Sequence, residues 1–495
     1  MIGRGRSLFC TVGFAGILWG CASTSPGPLV DDASKLVASR SGYRVTWLSG
    51  GKEDDDARKA VSQLVAADLT LDAAIRVSLL SNRSLQASYE ELGIAQADLV
   101  QAGLLKNPTL GGDYAFPLNP SRGGAEFGLN LSTDLLQLFT MVARKDVAGA
   151  VVEGAKYRVA SEVLRHIYEV KSAYYAAQAA QQMYAMRAIV TEAAEAAVEL
   201  SRRQHEGGTI SDLDLANEEA LYAQASVDFA RSRAEVIASR ERLNELLGVW
   251  GADTAWKISA KMDDVPETEA ALEHLESKAI ATRYDLRAAR ADVQAVSYAL
   301  ALTKNTRWVG GLDVGVHVER LSEGVTVLGP TASIALPIFD QGRGAIARVE
   351  AQLRQVQNRE HALAISIRSE VRKGANRLEV ARTVVQSYQR TMVPLRERIV
   401  ALSQQQYDAM LLGVFQLLLA RQNEINTYRE LIEALRDYWT ARAELEWKVG
   451  GDLKPAATTS SSSSPRVAPP AAAPTTKPMS PPAPKGAPAH EHHTP

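Results

Sequence analysis

Residues Val325 to Leu336 alternate as a two-faced strand, with Ala332, Ile334 and Leu336 on one side and Thr331, Ser333 and Ala335 on the other. The alternation breaks at Pro337 and turns through Asp340-Gln341-Gly342-Arg343-Gly344. A helical pattern follows to about Leu411, with Val349, Leu353, Val356, Leu363 and Ile367 on heptad positions. A helix of that length does not fit inside a compact domain, so a strand with one apolar and one polar face feeds directly into a rod. Pro337 has no N–H to continue a ladder, and the glycines let the backbone change pitch. Pro337, Asp340, Gly342 and Gly344 therefore read as a strand-to-helix joint. Pro394 predicts a kink or break within the rod.

The same plan occurs earlier in the chain. A helix is expected from Leu69 to about Leu105, capped by Thr70 or Asp68 and ended by Asn107-Pro108. Two alternating segments follow, Thr109 to Phe116 and Glu126 to Ser132, joined by a turn with two Pro and two Gly. A second rod runs from about Ala143 to Gln204 with no Pro, and Val163, Ile167, Val170, Tyr174 and Ala177 step by four and three along it. Gly207-Gly208-Thr209 reverses the chain into a helix from about Leu213 to Leu247. The later half matches element for element. A helix from about Glu267 to Lys304 contains Tyr284 to Ala289, which corresponds to Arg83 to Ser88. A strand at Leu312 to Glu319 precedes the one above, and a last helix runs from about Phe415 to Val449. An internal duplication thus divides the body into a first repeat, 68–255, and a second, 256–453.

The flanks differ in kind. Arg4 and Arg6 precede an apolar segment, Leu8 to Trp19, too short to span a membrane, and this reads as a signal peptide over residues 1–20. Leu18-Trp19-Gly20-Cys21 resembles a bacterial lipobox, which implies a lipid on Cys21. The alternative is ordinary secretion, with Cys21 lost or left as a free thiol. Ala22 and Ser23, with no Asp after Cys21, favour the outer membrane. Cys10 lies in the removed segment, so the mature chain has no internal disulfide. Residues 21–67 are expected to form an extended leader, with Lys52 to Asp56 as a solvated loop. Residues 454–495 hold a five-serine run and more than half of the 20 Pro, and are expected to be a disordered tail.

Several function classes are excluded. A net charge of -2 without a dense Lys/Arg cluster gives no nucleic-acid surface. No His-Glu-x-x-His, Gly-x-Ser-x-Gly or phosphate loop is present, so no enzyme is expected and no cofactor beyond the lipid on Cys21. The internal His residues are isolated, with His317 on the polar face of its strand. The one cluster, His490, His492 and His493, could take a borderline divalent metal but lies in a tail without fixed geometry.

Four short strands with one apolar and one polar face are the local signature of a membrane β-barrel. Four strands cannot close, and an open edge in a bilayer leaves backbone groups unsatisfied at several kcal/mol each. Copies must therefore associate; two, three or four would give eight, twelve or sixteen strands. The rods carry outer-face charges such as Arg187, Glu192, Glu195, Glu199, Arg202 and Arg203 and must project into water.

The duplicated plan, the joint Leu336-Pro337-Ile338-Phe339-Asp340-Gln341-Gly342-Arg343 and the reversals at Gly208 to Ala216 and Tyr407 to Gln422 resemble the TolC family of outer-membrane efflux proteins. The lipobox is similar to that of its lipoprotein branch serving RND-type pumps. The resemblance implies a mainly α fold with membrane β: a homotrimer with a twelve-stranded β-barrel in outer-membrane lipid, continuing into a long α-helical barrel. It implies an exit duct that docks on a periplasmic adaptor and an inner-membrane pump. The family's constriction maps here to Gln416 and Leu419 in the second repeat, in place of acidic side chains, while the first repeat keeps Asp212 and Asp214. Those two are equally readable as helix N-capping groups. A reading from another class is a non-conducting, envelope-spanning coiled-coil structural lipoprotein.

Overall fold

The computed structural model describes residues 24–115, 125–259, 261–267, 273–308, 310–321 and 323–453. The signal segment, Cys21, the turn at 117–124, the serine run and His490, His492 and His493 lie outside the described residues. The body is a bundle of long helices with one four-stranded antiparallel sheet at its end, in the order β1 (Thr109–Ala115), β2 (Glu126–Asp134), β3 (Leu312–Arg320), β4 (Thr326–Ile334).

The central rod is α5, Leu136–Glu206, whose 71 residues extend about 107 Å at ~1.5 Å each. The expected seam residues Val163, Ile167, Val170, Tyr174 and Ala177 are all buried along it. Around α5 pack α4 (Arg83–Ala102), α6 (Asp212–Leu247), α8 (Tyr284–Thr306) and α11 (Val414–Val449). Arg187 is a correction to the expected outer-face charges: it is turned inward and pairs with Asp228 of α6 at 3.1 Å, while Glu192, Glu199, Arg202 and Arg203 are exposed.

The leader is not extended. It forms α1, Gly27–Ser41, and α2, Lys52–Ala66. Helix α1 buries Val30, Ala33 and Val37, spaced for one helical face, against α5. Lys52 to Asp56 is likewise not a loop but the first turn of α2. There Glu53, Asp54 and Asp55 meet the positive end of the helix dipole. Tertiary burial of a sparse apolar stripe, rather than propensity, orders this segment.

Three expected single helices are each two. The first divides into α3 (Leu71–Ser81) and α4 at Asn82, with Thr70 capping α3 through Ala73 N–H at 3.2 Å. Its counterpart divides into α7 (Leu275–Thr282) and α8 at Arg283. The rod that follows the strand-to-helix joint divides into α9 (Arg343–Ser387), a π-helical turn at Tyr388–Met392 and α10 (Val393–Asp408), with Pro394 in the first turn of α10. Pro394 has no N–H to return to the preceding turn, and the wider π turn just ahead of it takes up the mismatch.

The two repeats share a joint built from the same chemistry. Ser81 Oγ donates to Leu247 C=O at 2.5 Å, and Thr282 Oγ1 donates to Val449 C=O at 2.7 Å. Each accepting helix then ends in a left-handed glycine, Gly248 or Gly450. A Cβ at Gly248 would lie 2.7 Å from Ser81 C=O, so only glycine permits that approach. Asn82 caps α4 through Leu85 N–H (3.0 Å) and donates Nδ2 to Leu246 C=O (2.9 Å). Its counterpart Arg283 is buried between Asp285 (2.6 Å) and Glu370 (2.8 Å).

Two apolar clusters fill the repeats. One joins α1, α3, α4, α5 and the end of α6 around Tyr89 and Trp256; the other joins α7, α9 and α11 around Ile367, Leu378 and Tyr438. Tyr175 and Trp439 stack across them with centroids 5.3 Å apart. Within the first lies His166, whose Nε2 has no partner and whose pKa burial pushes down to about 4.

Replacing Asn82 by Ala removes a cap and one of the donors to the Leu246 carbonyl. The expected loss is about 1–3 kcal/mol, seen as a lower unfolding midpoint in detergent. His166 is neutral in the fold, so its contribution is complete above about pH 6.5 and is lost as pH falls toward 4. Stability should drop by about 3 kcal/mol over that window, and His166→Leu should flatten this part of the stability–pH curve.

Candidate functional site: the two-faced sheet and the helical tips

Register decides what each face of the sheet presents. Leu110, Leu131, Val316 and Pro330 lie side by side across all four strands, as do Gly112, Leu129, Val318 and Leu328. On the opposite face the rows are Thr109, Ser132, Gly315 and Thr331, and Gly111, Asn130, His317 and Gly329. Hydrophobic alternation in four separate segments is thus aligned into one continuous apolar face and one polar face. The apolar face is bare: Leu110 is 73% exposed and Leu328 70%. An uncovered apolar surface of this extent requires a non-aqueous neighbour.

The polar face is built from alternating glycines and polar side chains. Asp113 lies over Gly128, where a Cβ would come 2.5 Å from its Oδ1, and Asn130 lies over Gly111 in the same way. His317 Nε2 and Glu319 Oε2 stand 3.4 Å apart on this face. Side chains there lean across strands, which only glycine neighbours permit.

Both edges, β1 and β4, are open. Leu321 N–H donates to Val325 C=O, and Ala335 N–H to Gly311 C=O, at 3.0 and 3.1 Å. The odd-numbered residues of β4 therefore face β3, and the even-numbered ones turn their N–H and C=O groups to the open edge. Pro330 is even-numbered, so its missing donor costs nothing within the chain. Pro337 is the next odd residue after Ala335 and has no N–H to give, so the ladder to β3 ends there.

At the joint, Asp340 Oδ1 accepts from Gly342 N–H at 2.9 Å, and Gly342 takes φ 70° as the residue before α9. A Cβ there would lie 3.2 Å from Arg307 Cβ. Gly344 is exposed in the first turn of α9 with open space around its Cα.

At the far end the two helical hairpins reverse. Ser211, not either aspartate, caps α6: its Oγ accepts from Asp214 N–H at 3.1 Å, and Asp214 Oδ2 accepts from Ser211 N–H at 3.3 Å. Asp214 is thus the return half of a capping box, a role legible in the Ser-x-x-Asp spacing. Asp212 stands free of the cap, with its side chain 97% exposed and 3.3 Å from His205 Nε2. Gln416 plays the part of Asp214 in the other hairpin, accepting from Gly413 N–H at 2.9 Å, and Leu419 is exposed. A cleft of about 70 Å³ separates the hairpins, lined by Ser201, Ile210, Glu218, Tyr407, Phe415 and Leu418. Glu218 is the one buried carboxylate among the described residues, and burial pushes its pKa up. The sequence reading did not find Glu218, because a Glu on an exposed-looking helix face carries no signal of what the other hairpin brings against it.

No helix among the described residues is long and apolar enough to cross a membrane, and no group of three or more metal-ligating side chains converges among them. The fold is shared with solved membrane proteins. A membrane protein from Pseudomonas aeruginosa superposes with a TM-score of 0.67 at 17% identity, covering 77% of this chain and 92% of that one. The CmeC outer membrane channel of Campylobacter jejuni gives 0.64 at 16% identity, covering 82% and 88%. At such identities the likeness is one of fold.

Sequence comparison adds lineage. The chain is 23% identical over 400 residues to the cobalt-zinc-cadmium resistance protein CzcC of Cupriavidus metallidurans, covering 79% of this chain and 89% of the relative. It is 26% identical over 305 residues to the toluene efflux pump outer membrane protein TtgC of Pseudomonas putida, covering 57% and 60%. Residues 74–249 match the profile of the outer membrane efflux protein family. That match takes in most of the first repeat.

An outer membrane efflux protein of the TolC type is a channel and not an enzyme, and it resides in the outer membrane with a periplasmic extension. The apolar face of the sheet is the part of the chain suited to lipid, and the rods, with exposed charged side chains such as Glu192, Glu199, Arg202 and Arg203, are suited to water. Substituting Gly342 by Val should strain the positive-φ joint and crowd Arg307, lowering the yield of assembled protein in outer-membrane fractions, whereas Gly344→Ala should leave it unchanged.

Proposed function

We propose that this chain is the outer-membrane exit duct of a tripartite efflux system. Three copies would pair β4 of one chain with β1 of the next, giving a twelve-stranded barrel that continues into a twelve-helix tube. The observation that carries this reading is the pair of open edges on a sheet whose apolar face runs unbroken across four strands. In lipid such edges must be paired, and equivalent copies supply the partner. The same bare face weighs against a non-conducting coiled-coil structural lipoprotein, which has no use for a lipid-facing sheet.

A lipid on Cys21 fits the geometry of α1. Pro26, just ahead of α1, lies beside Gly93, whose Cβ would stand 3.5 Å from the proline ring. That is about 15 Å below the end of α4 at ~1.5 Å per residue. The five residues back to Cys21 reach at most ~18 Å, enough to bring an acyl anchor to the membrane. The tube conducts passively and docks by its tips onto a periplasmic adaptor and an inner-membrane pump of the RND type. Its narrow end is lined by Asp212 and Leu419, while Asp214 and Gln416 are held in their own helix caps. The likeness to CzcC across most of both chains favours divalent transition-metal cations as cargo over the organic compounds of the shorter TtgC match.

Purified protein should run as a heat-labile trimer and conduct ions in planar bilayers. A strain lacking the gene should become more sensitive to cobalt, zinc or cadmium salts than to toluene. A monomeric, water-soluble rod without conductance would overturn the duct, and selective sensitivity to organic solvents would overturn the choice of cargo.

A further inference from the structure

The two joints built on Ser81 and Thr282 differ in what lies beyond their glycines. After Gly450 the chain runs against the end of α1: Asp452 N–H donates to Arg40 C=O at 3.2 Å, and Leu453 is buried. After Gly248 the chain is uncovered. Two left-handed glycines, Gly248 and Gly251, bracket a pair that splits, with Val249 turned into the core and Trp250 standing 86% exposed. A groove of about 380 Å³ opens beside Trp250, between α2, the end of α3 and a short 3-10 turn at Gly251–Thr254. Leu48, Ala57, Val61, Leu80 and Val249 give it an apolar lining.

The polar groups of the groove are mostly uncommitted. The Trp250 indole N–H and the Arg83 guanidinium have no acceptor among the described residues. Charges of both signs are present. Arg58 is paired with Asp55 at 2.8 Å, whereas Arg83, Asp54 and Asp253 form no ion pair among the described residues. An aromatic ring over an apolar cleft, with free donors at its edge, suits a narrow ligand that offers carbonyls and few N–H groups. A polyproline II segment has that chemistry, because proline has no N–H and its backbone is ordered before it binds.

The chain itself carries such a segment. Pro478, Pro481 and Pro484 recur at every third residue, one turn of a polyproline II helix, with Lys477 and Lys485 at the two ends. It is also within reach. Leu48, in the groove, is eight residues from Arg40, which holds Asp452, so the groove lies at most roughly 30 Å from the point where the tail leaves. The chain from Leu453 to Pro478 can extend to roughly 80 Å. Tethering of this kind presents a ligand at an effective concentration on the order of millimolar, so a weak site suffices.

We infer that the Trp250 groove is a docking site for residues 477–485 of the same chain. The prolines pack on the Trp250 ring and the apolar lining, Trp250 Nε1–H and Arg83 donate to their carbonyls, and Lys477 and Lys485 face Asp54 and Asp253. The second joint is covered by α1, and the first is covered by the tail. This inference stands apart from the duct reading and needs neither a membrane nor a pump.

The test uses the full chain in detergent, with Ala252→Cys at the exposed wall of the groove and Ala483→Cys in the tail. A short bis-maleimide is added, and peptide mapping identifies the linked pair, which separates it from the native Cys10 and Cys21. Lys35→Cys is the comparison for random encounter, since it is exposed on α1, near the tail's exit and outside the groove. The expected result is a 252–483 link within one chain, several times stronger than a 35–483 link. Trp250→Ala should reduce it about fivefold or more, as loss of an aromatic anchor does. Replacing Pro478, Pro481 and Pro484 together by Ala should reduce it likewise; this variant alters no residue of the folded body and serves where Trp250→Ala lowers stability. Absence of the 252–483 link, an equally strong 35–483 link, a link unchanged in the proline variant, or one formed only between two chains would each overturn the inference.

Discussion

Everything in this protein answers to the hydrogen-bonding groups at the two edges of its sheet. Within one chain the four strands satisfy one another, and the edges β1 and β4 are left with N–H and C=O groups that lipid cannot serve. In a bilayer that deficit, together with an apolar face that water cannot cover, would leave a single chain incomplete. Pro330 leaves one donor missing from the row that the β4 edge presents.

The helical part solves a different problem, that of keeping a very long two-layer structure rigid. It does so by repetition: a hydroxyl from Ser81 or Thr282 bonds the last turn of the returning helix, and a left-handed glycine then lets the chain leave. Each repeat closes locally in this way. Large apolar clusters and the Tyr175–Trp439 stack then join the repeats. The pairing partner at the second joint changed from Asn82 to Arg283. A neutral cap was replaced by a buried cation held by two carboxylates, while the shape of the joint stayed the same.

The two ends of the rods differ. Toward the sheet, the joints expose aromatic side chains and charges of both signs. At the tips, Asp214 and Gln416 are drawn into helix caps, Asp212 and Leu419 stay exposed, and Glu218 is buried. The second-repeat Gln416 and the first-repeat Asp214 each accept a hydrogen bond from the backbone at the start of their own helix.

The sequence by itself determined the periodicities and their order. Alternation at residues 109–115, 126–134, 312–320 and 326–334, heptads along the rods, the glycine reversals and the duplication were all legible, because strand and helix each impose a fixed spacing on apolar residues. The family resemblance was carried by the same features and by the joint at Pro337 to Gly344. Only the tertiary structure decided the rest. Residues 27–41 and 52–66 form helices because α5 and α3 offer apolar surface to a weak stripe, and Asn82 and Arg283 break their helices because a distant carbonyl and carboxylates are there to receive them. Ser211 took the cap that Asp212 and Asp214 were candidates for, and Arg187 turned inward to Asp228. Local spacing fixes which face a side chain is on, but which partner waits at that face depends on segments hundreds of residues away.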